Sequence, residues 1–103
     1  MFEINGDKWE IKIVPNSKME ELEKVEEGDF LQGLTRYREN VVYINEEAPN
    51  KRKTLIHELM HVYTYEYGLD PFRRKYDIEA LCEICSASYD VIGDILKETS
   101  ICR

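Results

Sequence analysis

At 103 residues the chain has the length of one domain with one modest core. A formal net charge of −7 argues against non-specific nucleic-acid binding, which needs a basic face. No apolar run approaches the length of a membrane span, and three cysteines, an odd number, do not make a disulfide framework, so a reducing cytoplasm is the expected setting.

The first residues, Met1 to Asp7, show neither a basic start nor an apolar stretch, and no secretory signal is expected there. Asn5-Gly6 is a two-residue turn signal, and Lys8 to Val14 alternates in polarity with period two. The expectation is strand, turn, strand, with Trp9, Ile11 and Ile13 on one face and Pro15 as the stop. Ser17, followed three residues on by Glu20, reads as a capping box for a short helix from Lys18 to Glu27. Met19, Leu22 and Val25 would form its buried face, with Gly28 at its end. Gly33–Arg38 and Val41–Asn45 flank Glu39-Asn40 and are expected to pair as a hairpin. Pro49 breaks the chain, and Asn50 can cap a helix from Lys51 to Tyr67, with Gly68 as its C-cap. That helix is apolar over most of its circumference, as a central one should be. A connection, 69–76, leads to Asp77 as N-cap of a last helix running to Thr99. The sum is a single α+β domain over 1–103, a small antiparallel sheet backed by helices. Lys51-Arg52-Lys53 and Arg73-Arg74-Lys75 read as solvated surface.

The most informative stretch is His57-Glu58-Leu59-Met60-His61, which contains both histidines of the chain. On a helix, residues four apart lie about 40° from one another, so the two imidazoles can grip one metal ion. Glu58 points to the side, near a water on that metal. In this H-E-x-x-H arrangement two histidines bind zinc and the glutamate acts as general base. Two histidines placed at random would fall into this pattern about 0.3% of the time. The plainer readings are a helix with two packing or solubilising histidines, and a zinc site that is structural rather than catalytic.

Zinc in a catalytic site takes three protein ligands and leaves a position open. With no further histidine, the third must be a carboxylate or a thiolate. Glu66 shares the helix but lies about 140° from His61. Glu79 and Glu83 are four apart on the last helix and so share one face. The eight-residue connection, spanning at most about 26 Å, is long enough to bring them back to the metal.

H-E-x-x-H followed by a helical Glu79-Ala80-Leu81-Cys82-Glu83 resembles the gluzincin metallopeptidases. In size and element order the chain most resembles the minigluzincins, with the ImmA/IrrE-type peptidases a related match. The specific part covers Thr54–Tyr67 and Asp77–Ser86, about a quarter of the chain. The resemblance implies an active-site helix carrying the motif and a C-terminal helix carrying the glutamates. It implies one zinc ion held by His57, His61 and Glu79, with Glu83 accepting a hydrogen bond from His57. The reverse assignment, with Glu83 as ligand, stays open. It further implies a peptide or protein substrate, with Glu58 taking the proton of a zinc-held water as it attacks the peptide carbonyl.

The residue that would stabilise the developing oxyanion is not singled out. Tyr76, Tyr89, Arg73 and Arg74 are the candidates, each with an ordinary core or rim role as its rival. Val41–Asn45 is either an edge strand able to pair with an extended peptide or a plain core strand. Cys82 and Cys85 are expected as buried small residues rather than as a redox or second metal pair. Cys102, or the carboxylate of Arg103, could reach the metal in a latent form like that of the minigluzincins, the alternative being a frayed tail over Thr99–Arg103. The reading is a cytoplasmic zinc endopeptidase, monomeric or weakly oligomeric, with no nucleic-acid or membrane partner. Its rivals are a non-catalytic regulatory or interaction module with a structural zinc, and a metallohydrolase acting on a non-peptide amide.

Overall fold

The computed structural model describes residues 1–23, 30–69 and 78–99. Its class is α+β. Strands β1 (Phe2–Ile4), β2 (Asp7–Val14), β3 (Gly33–Arg36) and β4 (Val41–Asn45) form one sheet in the order β1-β2-β4-β3. Helix α1 (Asn16–Leu22) follows β2, α2 (Lys51–Glu66) follows β4, and α3 (Ile78–Glu98) comes last. The Asn5-Gly6 turn forms as its sequence demands, with φ of 51° and 82° at its two central residues.

The expected all-antiparallel sheet needs one correction. β1–β2 and β3–β4 are antiparallel hairpins, but β2 and β4 run parallel, Glu10 opposite Val41 through Val14 opposite Asn45. After β2 the chain crosses through α1 to the sheet edge as β3, then turns back to fill the gap as β4. A hairpin signal is local, whereas the pairing of β2 with β4 has no local signal. β4 is therefore an interior strand, and all five of its residues are buried. Val42 and Ile44 face α2 and α3 in a core completed by Phe2, Ile4, Trp9, Leu55, Leu59, Val62, Ile92, Ile95 and Leu96. Val41 and Tyr43 face the other way, onto Met19 of α1. Covered on both faces, the strand reads as a continuous apolar run.

Two further details differ from expectation. α1 starts at Asn16, because the Pro15 carbonyl accepts from the amides of Lys18 (3.0 Å) and Met19 (3.2 Å). Ser17 thus lies inside the first turn and caps nothing. α1 gives way to extended backbone at Glu23, so the expected helix stops short; Val25, Glu27 and Gly28 lie outside the described residues. On β2, Trp9 is buried but Ile13 is 49% exposed, at the rim where α3 ends near Thr99.

α2 behaves as read. Asn50 Oδ1 accepts from the Lys53 amide at 3.0 Å, the expected N-cap. At the other end Tyr67 is the C-cap, and Gly68, with φ of 67°, makes the turn. The amides of Leu69 and Gly68 return to the carbonyls of Thr64 (2.7 Å) and Tyr65 (3.2 Å), closing a Schellman motif. No helix among the described residues is long and apolar enough to cross a membrane.

Candidate metal centre

α2 lies across the sheet with Leu55, Leu59 and Val62 in the core, which turns the intervening His57, Glu58 and His61 toward β3 and solvent. His57 is exposed, His61 half-buried and Glu58 buried. The two Nε2 atoms converge to 3.2 Å, with ring planes 73° apart. Zinc–nitrogen bonds at a tetrahedral angle hold two imidazole nitrogens about 3.3–3.4 Å apart. The pair thus stands within about 0.2 Å of the separation two nitrogens take on one zinc ion, and imidazole nitrogens with a carboxylate beside them are donors suited to that ion.

Glu58 is held from the sheet. Alternation along β3 turns Gly33 and Thr35 to the α2 side, opposite Ile44 and Val42. The Thr35 hydroxyl donates to Glu58 Oε1 at 2.7 Å. At Gly33 the backbone runs so close to α2 that a Cβ would stand 2.8 Å from Thr54 Cγ2 and 3.1 Å from Glu58 Oε2. Glu58 and His57 line a cavity of about 410 Å³ with Phe30, Gln32, Asn50, Lys53 and Thr54. The sequence alone singles out neither Gly33 nor Thr35. The available signal was a glycine inside a strand, which marks a close backbone approach.

The other candidates are placed differently. Glu79 and Glu83 sit on the first turns of α3, both exposed. Among the described residues, no three His, Cys, Asp or Glu side chains gather closely enough to hold a metal. The structure therefore brings His57 and His61 together, sets Glu58 beside His57 in the cavity wall, and leaves the third ligand unassigned. Tyr89 is 77% exposed and lines a separate groove between α2 and α3, with Ile56 and Met60. Tyr76, Arg73, Arg74, Cys102 and Arg103 lie outside the described residues. Cys82 and Cys85, expected to be buried, are exposed free thiols, because the first half of α3 projects past the core that its second half enters.

Glu66 points away from the histidines, as its helical angle requires. It accepts from Trp9 Nε1 at 3.3 Å, while its backbone carbonyl accepts from Asn5 Nδ2 at 3.0 Å. Burial pushes its carboxyl pKa up, and the hydrogen bond and negative charge of Asp7 add to the rise against a lowering by Trp9. Comparison with known protein families, with characterised proteins and with solved structures finds no match for this chain.

Proposed function

We propose that the protein is a zinc-dependent endopeptidase of gluzincin type, working in a reducing, cytoplasmic compartment on a peptide or protein substrate. The observation that carries the reading is the convergence of the His57 and His61 nitrogens to 3.2 Å beside a buried, oriented Glu58. His57 and His61 would hold the metal, joined by Glu79 from α3, with Glu83 as the acceptor that steadies His57. A zinc ion there supplies Lewis acidity that polarises a carbonyl and eases deprotonation of water.

The remaining work falls to the chain. Glu58 accepts the proton of the attacking water and returns it to the leaving amine. Its Oε1 is committed to Thr35, which leaves Oε2 as the oxygen free to take that proton. Gly33 lets β3 pass close over the carboxylate, which also lines the cavity that can admit water. β3 is also one of the two edge strands of the sheet, with one side unpaired by any described strand, where an extended peptide can add to it.

A second reading has its own observation. A buried glutamate bonded to Thr35 also serves as a tie between α2 and β3, which suits a non-catalytic zinc-bearing interaction module. The experiment that separates them compares zinc-loaded wild type with Glu58→Gln on an unfolded protein mixture, read as new peptide termini by mass spectrometry. Termini from the wild type alone establish the peptidase. No cleavage by either protein, with zinc bound by both, supports the module or a latent peptidase, and removing Thr99–Arg103 separates these two.

A further inference from the structure

α3 carries two thiols that the proposed zinc chemistry does not use. Cys82 and Cys85 are both free and both exposed. Three residues apart on a helix, they share one face with Cβ atoms about 5–6 Å apart. A disulfide needs Cβ atoms about 3.5–4.5 Å apart. The gap to be closed is about 1–2 Å, and an intact turn does not close it, since even a 3₁₀ turn spaces residues three apart by about 6 Å along its axis; it closes when the turn at residues 82–85 opens.

Whether the helix can yield there depends on what holds it. No residue of α3 from Glu79 to Ala87 is buried. Burial begins at Ser88, whose hydroxyl lies 3.1 Å from the Cys85 carbonyl and 3.5 Å from Met60 Sδ on α2. Ile92, Ile95 and Leu96 then fix the second half in the core. A local opening at residues 82–85 therefore disturbs no core contact among the described residues and is bounded by the buried Ser88.

We propose that Cys82 and Cys85 form a reactive dithiol that is oxidised to an intramolecular disulfide by low-molecular-weight disulfides. One thiolate of the pair attacks a sulfur of the small disulfide, forming a mixed disulfide and releasing one small thiol. The second thiolate attacks the protein sulfur of that mixed disulfide, closing the Cys82–Cys85 bond and releasing the other small thiol. Two electrons and two protons pass from the protein pair to the small disulfide, and a reduced thiol reverses the exchange. Were Glu79 to hold zinc, closure would shift that ligand; this consequence rests on the zinc reading, whereas the exchange itself does not.

The test uses full-length Cys102→Ser protein, equilibrated across oxidised and reduced glutathione, then alkylated and read by intact and peptide mass spectrometry. Cys82 and Cys85 should lose alkylation together, with a mass loss of two hydrogens and no glutathione adduct, reversed by reductant. Amide exchange should change over residues 79–87 and stay constant over 92–98. With Cys82→Ser or Cys85→Ser added, the remaining thiol should instead hold a glutathione adduct. Stable single adducts on both thiols of the Cys102→Ser protein, disulfide-linked dimers, or thiols that stay alkylatable in oxidised glutathione would each overturn the proposal.

Discussion

Glu58 is a charged residue made tolerable by two neighbours on one strand. A buried carboxylate costs several kcal/mol unless its oxygens are satisfied, and the Thr35 hydroxyl at 2.7 Å satisfies one of them. Gly33 supplies the room. In Gly33→Ala the new methyl meets Thr54 Cγ2 at 2.8 Å and Glu58 Cγ at 3.0 Å, both on the rigid side of α2, so β3 must move off the helix. The expected loss is about 1–3 kcal/mol, measured by urea unfolding, of the size seen for overpacked cores. Adding Thr54→Ser removes the closer of the two contacts and should recover part of that loss, a coupling that a double-mutant cycle detects.

Glu66 gives a pH dependence of definite sign. Its folded-state pKa is raised above 4.5, first by burial and then by Asp7, so between the unfolded and folded values the native state binds more protons. This group therefore contributes stability below pH about 4.5 that is lost as pH rises through the folded value. Glu66→Gln keeps an acceptor for Trp9 and offers Asp7 a donor. The variant should be more stable than wild type at neutral pH, and its stability should fall less across that window in melts taken at several pH values.

At the level of elements, Asn45 ties β4 to α1. Its side chain is fully buried; Nδ2 donates to Asn16 Oδ1 (2.9 Å) and the Leu31 carbonyl (3.0 Å), and Oδ1 accepts from the Glu47 amide (2.9 Å). Asn45→Ala removes all three bonds and strands their partners, at an expected cost of about 2–4 kcal/mol. Unfolding midpoints in urea would show it, and Asn45→Asp should not rescue, since a carboxylate has no donor for two acceptors. The same bond explains why one helix start was legible and another was not. Asn50 caps α2 through its own local geometry, which a sequence displays. Asn16, held by a residue 29 positions away, sits inside the first turn and donates to Glu20, the acid the expected capping box at Ser17 would have used, while Pro15 starts the helix. The H-E-x-x-H histidines were legible for the same reason as Asn50, because their meeting is set by helical spacing alone. Thr35 and Gly33 reach Glu58 only through strand order, which no local pattern encodes.

Across the whole molecule, the sheet and α2 form a continuous core, which α3 joins, among the described residues, from Ser88 onward through Val91, Ile92, Ile95 and Leu96. The first half of α3, where Glu79 and Glu83 sit exposed, places no buried side chain in that core from Glu79 to Ala87. A metal that binds only the folded chain stabilises it by about 2.7 kcal/mol at one hundred times its dissociation constant, a large share of the stability of so small a domain. That gain should appear with zinc and vanish in His57→Ala. Where the third ligand lies then becomes a question of which amides zinc protects. If Glu79 completes the site, zinc must anchor the first turns of α3, and hydrogen exchange over residues 79–83 should slow markedly along with that of α2. Glu79→Gln should abolish the protection in α3 and weaken zinc binding, while the two histidines still retain a residual affinity. Slowed exchange confined to α2 and β3 in the wild type would instead remove α3 from the metal centre.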